Sequence, residues 1–343
     1  MMKGLNNMEI IAKVVGVGKY LPEKVVTSER LERELGFEKL GVRKGTIKLL
    51  NGVETRRFAD KHENSSDLAA KASKDALQMA GLEAESIDLL LFCSISQDFI
   101  EPATANAVQY KIGAINARCM DVKNACNAFI TGLEVANAYI KSGMAKLVLI
   151  TAGEVMSRYL KLNYNNKNEI DESNATLGFG DGGGAIILQA DIKGNPLITE
   201  MRSYGQYWDQ GVIWGGGTMY MSDKDKFYMK NADANMVQVN TFRAIKFYYD
   251  MLKKYEIDID DVSLFITTQI SKLMIKKCSE ALSIKEENIV MQVVELGNTA
   301  AASMPIALSR AIESGRLSLS SGKRIVFLGA ANGLTIGFAT LVL

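Results

Sequence analysis

Histidine is almost missing from this chain. The single one, His62, sits in the polar stretch FADKHENSSDLAAKA at the start of an expected helix. A Ser-His-Asp triad or a Cys-His pair would have to recruit it, and its surroundings read as exposed surface. A G-x-S-x-G nucleophile elbow is missing as well. Charge of one sign is lacking too: 40 basic residues against 39 acidic ones leave a formal charge of +1. That gives no electrostatic case for a nucleic-acid partner or an anionic membrane surface. No apolar run is long enough to span a bilayer, and Ile87–Ile95 is only strand-sized. The opening MMKGLNNMEIIAKVVGVG has neither the apolar core nor the small-residue cleavage site of a secretory signal. A cytoplasmic, reducing compartment is therefore the expectation, with Met8 a candidate start. The four cysteines, Cys93, Cys119, Cys126 and Cys278, show no C-x-x-C spacing and no histidine beside them. Neither a metal site nor a disulfide framework is indicated, and three of the four read as core residues.

What the chain does have is apolar content, 48% over 343 residues, enough to bury a large core in two ordinary domains or one duplicated one. Its organising stretch is 119-CMDVKNACNAFITGLEVANAYIKSG-143, a short strand running into an amphipathic helix. Phe129, Leu133, Ala136 and Ile140 recur at helical spacing, and Ser142-Gly143 ends the run. Cys126 falls at the junction, where unpaired N–H groups of a first helical turn would favour thiolate over thiol and make a nucleophile. A buried structural cysteine is the alternative.

Strand and helix alternate to about Ala190. A capped helix is expected over Thr27–Leu35, another over Asp67–Ala80 closed by Gly81, and a long one from about Asp233 to Tyr255. Residues 36–58 look basic and irregular, and residues 155–176 polar enough to form a surface excursion or lid. The run GFGDGGGAIILQA tempts a phosphate-loop reading, but it opens a strand rather than a helix, so close backbone packing or a tight turn explains it better. Many of the methionines fall between Asp191 and Asp258, where they fill core or line a pliable acyl channel.

A duplication orders the whole. SIDLLLFCSIS (86–96) returns in outline as DVSLFITTQIS (261–271), the block 125–154 returns from Gly297, and FGDGGGAIILQA is answered by ANGLTIGFATLVL. Two halves follow, residues 1–190 with Cys126 and residues 191–343 with Asn298, each a strand-helix-strand unit around a shared centre. Under that symmetry Cys126 and Asn298 occupy matching helix starts and face one crevice.

The motifs DVKNACNAF around Cys126, GDGGGA ending at Ala185, and GNTAAASMP around Asn298 resemble those of the thiolase superfamily, and within it the ketoacyl-ACP synthase III group. The segment 97-QDFIEPATA-105 and the long start LERELGFEKLGVRKGTIKLLNGVETRRF resemble the branch that joins two acyl-CoA molecules head to head in olefin biosynthesis. The resemblance implies an α/β, five-layered α-β-α-β-α fold from two duplicated halves, and a homodimer. It implies acyl transfer from a CoA or carrier-protein thioester to Cys126, then attack by a carbanion from a second thioester, with Glu101 supplied by the partner subunit as base. The chemistry suits the residue types. A thiolate splits a hard condensation into two steps, an amide such as Asn298 can hydrogen-bond the developing oxyanion, and a carboxylate in a channel of low polarity is a competent base. No metal and no tightly bound cofactor is required.

The departures from the family pattern are as informative. Where the family has a histidine, this chain has Thr268 in 266-ITTQIS-271, and a threonine cannot accept a proton near neutral pH. The tryptophan and arginine that clamp the CoA adenine correspond to Thr46 and Leu50, leaving Arg158 as a candidate phosphate contact. Two further readings therefore stand beside the condensing enzyme: a catalytically impaired partner of a second thiolase-like subunit, and a decarboxylating synthase in which Thr268 and water replace the histidine. Pocket width is expected to depend on side chains such as Phe129, Met201, Trp208 and Met304.

Overall fold

The protein's structure, a computed structural model, describes residues 9–230 and 234–343. The first half runs β1 (Ile11–Tyr20), β2 (Lys24–Thr27), α1 (Ser28–Glu34), α2 (Thr46–Asn51), β3 (Thr55–Phe58), α3 (Ser65–Ala80), β4 (Leu89–Cys93), α4 (Thr104–Ile112), β5 (Arg118–Val122), α5 (Ala128–Lys141), β6 (Leu147–Glu154), α6 (Lys167–Glu172) and β7 (Gly182–Asp191). The second runs β8 (Ile198–Ser203), α7 (Ala234–Lys254), β9 (Val262–Thr267), α8 (Lys272–Ala281), α9 (Val293–Leu296), α10 (Ser303–Glu313), β10 (Arg324–Ala331) and β11 (Thr335–Val342). The N-terminal residue of the expected helix from Asp233 lies outside the described residues.

Two sheets carry the fold, with strand orders β1-β7-β6-β4-β5 and β8-β11-β10-β9. The second repeats the first strand for strand, β8 standing for β1, β11 for β7, β10 for β6 and β9 for β4. The pairings agree: β4 and β6 are parallel, as are β9 and β10, whereas β6 with β7 and β10 with β11 are antiparallel. Even β5 has a trace of a counterpart, since Ile289 makes a single parallel bridge to Phe265 of β9. Helices α5 and α10 fill the space between the sheets, where Phe129 and Phe327 meet edge to face at 5.8 Å. Helices α3 and α4 cover the outer face of the first sheet, and α7 and α8 that of the second. The result is the five-layered α-β-α-β-α sandwich. Both faces of each sheet are covered, which is why β4 and β6 read as unbroken apolar runs rather than alternating ones.

Local signals hold at the helix ends. Thr27 caps α1 by accepting from the Arg30 N–H at 3.1 Å, and Asn64 with Asp67 forms a capping box at the start of α3. The glycine run of β7 serves packing. A Cβ on Gly183 would lie 2.2 Å from the Leu68 carbonyl oxygen of α3, a separation no side chain tolerates. Of the two expected explanations close backbone packing is the one that holds, since the glycines lie within the strand itself and its backbone is laid directly on a helix.

Two expectations fail here. Residues 36–58 are ordered around α2 and β3, and Arg56 is fully buried, donating to the Leu177 carbonyl at 2.8 Å and to Ser28 Oγ at 2.6 Å. Residues 155–176 form no free lid: Met156, Leu160, Tyr164 and Ile170 are buried in one cluster with Val26, Leu31, Phe37, Ile47 and Leu177. Their polar spacing conceals an apolar residue every few positions, enough to fix the segment as a wall. Among the described residues no helix is long and apolar enough to cross a membrane.

Candidate active site

Each central helix is entered through a strained turn. Ala125 has φ +47° and Ala300 has φ +46°, each three residues ahead of its helix, in a region that non-glycine residues rarely adopt. Cys126 follows the first of these alanines and Asn298 precedes the second. The two turns are equivalent under the duplication, although the two functional candidates hold different positions within them.

Cys126 and Asn298 line the same cavity, of about 70 Å³, with Ile95, Ala175, Phe179, Met229, Ile270 and Leu334 as apolar walls. Asn298 is fixed on both sides. Its backbone N–H donates to the Gly178 carbonyl at 2.8 Å, and its Oδ1 accepts the Ala300 N–H at 2.9 Å. Because a backbone N–H can only donate, the atom it meets is the amide oxygen, and Nδ2 is the end left to donate elsewhere.

The expected ionisation of Cys126 is corrected. Helix α5 starts at Ala128, its N-cap is Asn127, and Cys126 stands outside the first turn. Burial pushes its thiol up to about 12, the carboxylate of Glu154 pushes in the same direction, and its own backbone N–H opposes them. Both leading influences therefore oppose ionisation of the sulfur. The other cysteines are also raised by burial, Cys119 to about 11 and Cys278 to about 12, and Cys93 further.

Glu154, which sequence reasoning passed over, is fully buried at the end of β6. It accepts the Ile95 N–H at 2.8 Å, the Ser96 N–H at 3.0 Å, the Ser96 hydroxyl at 2.7 Å and the Ala301 N–H at 3.3 Å. Burial raises it to about 7 against the pull of those bonds. Its signal was available: an apolar strand, LVLITAG, that ends in a carboxylate. Asp181 is a second buried acid, held by Ala59 N–H, Ser157 N–H and the Ser157 hydroxyl, and raised by burial to about 6.

The remaining candidates lie elsewhere. Thr268 is buried in the lining of an adjacent cavity of about 40 Å³ that shares Thr241, Ile270 and Ala330 with the first, and its Oγ accepts the Ala330 N–H at 2.9 Å. Glu101 is exposed on the loop before α4, beside the exposed Phe99 and Ile100, and lines neither cavity. Arg158 spends its guanidinium on the loop ahead of α3, donating to Asn64 Oδ1 at 2.8 Å and to the Glu63 carbonyl at 2.6 Å, so the fork expected to meet a phosphate is already held by protein. His62 is exposed in the same loop.

The width-setting residues also differ from expectation. Phe129 and Met304 are core, Trp208 is on the surface, and Met201 packs beside Asn124 and Thr131. The lining instead includes Asn240 and Asn332, held by Arg243 at 3.0 Å and by the Gly211 carbonyl at 2.8 Å. A wider groove of about 560 Å³ adjoins it through Ile95, Met229 and Asn332, lined by Phe99, Trp214, Met221 and Phe227. Met221 and Met229 line this groove. Among the described residues no group of His, Cys, Asp and Glu is placed to hold a metal.

Comparison with known proteins gives this geometry a family. The family model for 3-oxoacyl-[acyl-carrier-protein (ACP)] synthase III matches residues 120–205, and that for its C-terminal part matches residues 252–343. The β-ketoacyl-[acyl-carrier-protein] synthase III of Clostridium perfringens strain SM101 is 35% identical over 341 residues, covering 97% of this chain and 99% of that protein. Its counterpart in Aliarcobacter butzleri is 33% identical over 338 residues, covering 96% and 97%. Among solved structures, the 3-oxoacyl-[acyl-carrier-protein] synthase III of Aquifex aeolicus VF5 superposes with a TM-score of 0.83 at 28% identity, covering 97% of this chain and all of that one. OleA of Xanthomonas campestris, solved with lauric acid and lauroyl-CoA, superposes with a TM-score of 0.86 at 23% identity, covering 97% and 99%, a likeness of fold. The chain belongs to the β-ketoacyl-[acyl-carrier-protein] synthase III family, and it is an acyl-transferring condensing enzyme of thiolase-like fold.

Proposed function

We propose that the enzyme takes an acyl group from a CoA or acyl-carrier-protein thioester onto Cys126 and joins it to a second acyl thioester by a Claisen condensation without decarboxylation. The observation that carries this is the shared cavity: the sulfur and the oriented amide of Asn298 line one small, mostly apolar space. In the first half-reaction the Cys126 sulfur attacks the thioester carbonyl, the carbon–sulfur bond to the donor breaks, and the Cys126 proton passes to the donor sulfur, which leaves as the free thiol. In the second, a base removes the α-proton of the second thioester while the Asn298 Nδ2–H donates a hydrogen bond to its carbonyl oxygen, where the negative charge collects. The carbanion attacks the acyl-Cys126 carbonyl, and the Cys126 sulfur leaves with the electron pair.

Glu101 is our candidate for the base, acting from a partner subunit in a homodimer. Its exposure beside Phe99 and Ile100 makes it available to a neighbouring chain and unavailable to its own cavity. Thr268 supports the non-decarboxylative reading, because it brings no imidazole to the cavity beside that of Cys126, and no described lining group of the Cys126 cavity brings one either. No tightly bound cofactor enters this scheme.

The relatives are named β-ketoacyl-[acyl-carrier-protein] synthase III, and the second reading is a decarboxylating synthase of that kind in which Thr268 and water replace the histidine. Incubation with a panel of acyl-CoA donors, followed by intact mass, should show an acyl adduct that maps to Cys126. Addition of a second acyl-CoA should then release a β-ketoacyl product without CO₂. CO₂ release from malonyl carrier protein would replace the first reading by the second, and no adduct with any donor would refute both, leaving a partner subunit that needs a second thiolase-like chain.

A further inference from the structure

Glu154 has no role in the scheme above, yet it touches both halves of the site. One of its oxygens accepts from Ile95, which lines the Cys126 cavity, and from Ala301, in the turn that holds Asn298. The other accepts the N–H and the hydroxyl of Ser96. The four bonds satisfy the carboxylate in a site without solvent, so it is tightly placed; a side chain there for packing alone would need no charge.

We propose that Glu154 is a positioning residue that fixes the Asn298 turn against the Cys126 wall, and that its protonation state governs how readily the Cys126 thiol ionises. The physical route is direct. A carboxylate in a buried, low-dielectric setting opposes a second negative charge beside it, and the same group protonated does not. Glu154 holds the N–H of Ile95, which lines the cavity of Cys126, so the charge of the one acid is felt by the other. Of the surrounding groups, the residues that bond Glu154 at 95–96 and 301 carry no charge, and Tyr159 is the other acid that feels its field. Asp181, next to the Gly182 that pairs with Glu154 across the sheet, is tied to Ser157 and Ala59 and faces the charge of Arg158. The consequence for the reaction is that an uncharged Glu154 favours formation of the thiolate, so the proton on this acid acts as a gate on acyl loading.

The inference rests on Cys126 as the nucleophile of the proposed function, but its test needs no acyl substrate. The rate of iodoacetamide labelling at Cys126 is followed by peptide mass in the full-length protein from about pH 5 to about pH 9. In the wild type the logarithmic rate should rise with pH, then bend near the Glu154 midpoint of about 7 and continue on a lower line. Above the bend it should run about threefold or more below the unbent profile of Glu154→Gln. Ser96→Ala keeps the acid but removes the hydroxyl that stabilises its charge, so its bend should move to higher pH, and it serves if the glutamine variant does not fold. A wild-type profile without a bend, or a bend that survives Glu154→Gln, overturns the proposal. A bend that behaves as expected in a protein that never forms an acyl adduct would overturn the proposed function and leave the coupling standing.

Discussion

The side-chain oxygen of Asn298 accepts the backbone N–H of Ala300 at 2.9 Å, and this bond turns the amide nitrogen into the group left for a ligand. The geometry makes a sharp forecast for substitution. Asn298→Asp keeps the acceptor for Ala300 but puts an anion where a donor is needed. Asn298→Ala removes the donor without adding charge. The alanine variant should form the acyl-Cys126 adduct at a rate within a few-fold of wild type, whereas the aspartate variant, with a carboxylate in the cavity of the sulfur, should also load more slowly. Condensation should fall by about 10²–10³-fold in the alanine variant, the scale of one lost oxyanion donor, and further in the aspartate variant. Rapid-quench measurement of the two half-reactions checks the split.

Asp181 gives a prediction for stability against pH. Burial raises it from its ordinary value of 3.8 to about 6, so the folded chain holds its proton more tightly than the unfolded chain. The favourable contribution is full below the ordinary carboxylate range and is lost as pH rises through about 6. A shift of that size is worth about 3 kcal/mol. The stability difference between wild type and Asp181→Asn should therefore move against the wild type between about pH 4 and about pH 7 and be flat above. Urea titrations of both proteins at several pH values read this directly, and the parallel contribution of Glu154 cancels in the difference.

The glycines of β7 separate packing from flexibility. Gly183→Ala would drive a Cβ to 2.2 Å from the Leu68 carbonyl oxygen and 2.7 Å from its carbon, so strand and helix must part. A loss of about 3 kcal/mol or more in folding stability is expected. At Gly217, among the described residues, no atom lies within 4 Å of the place a Cβ would take, and its φ is outside the left-handed region. Gly217→Ala should therefore change stability by less than about 0.5 kcal/mol. Thermal melts of the two variants decide it.

Most of the architecture was legible because duplication and apolar runs are properties of the chain itself. The repeat of 86–96 at 261–271 became β4 and β9, and the echo of 125–154 became β10 with its preceding helix α10. Cys126 and Asn298 were found from their motifs and do share a cavity. What the sequence concealed were relations that only long-range packing sets. The shift of Cys126 to about 12 depends on burial and on Glu154, neither of which a helix-start pattern reveals. Phe129 looked like a gauge of pocket width, yet its position on α5 turns it into the core against Phe327. Arg158 looked free for a phosphate because its partners, Asn64 and the Glu63 carbonyl, are remote in sequence.

Thr268 and Glu101 are told apart by one pair of variants. Thr268, just past the end of β9, meets the Ala330 N–H of β10, and it lines the neighbouring cavity rather than that of Cys126. Thr268→Ala should lower stability by about 1–2 kcal/mol through the orphaned N–H, with less than about tenfold change in either half-reaction. Glu101 sits on the surface of its own chain, so Glu101→Gln should leave folding and acyl loading unchanged while condensation falls by about 10²-fold or more. If the base comes from the partner subunit, mixing Glu101→Gln with Cys126→Ala protomers restores condensation in the heterodimers, since one of their two sites combines an intact Cys126 with an intact Glu101. Restored product on mixing two silent variants is the outcome expected; continued silence, in heterodimers shown to form, would place the base on the same chain as the sulfur.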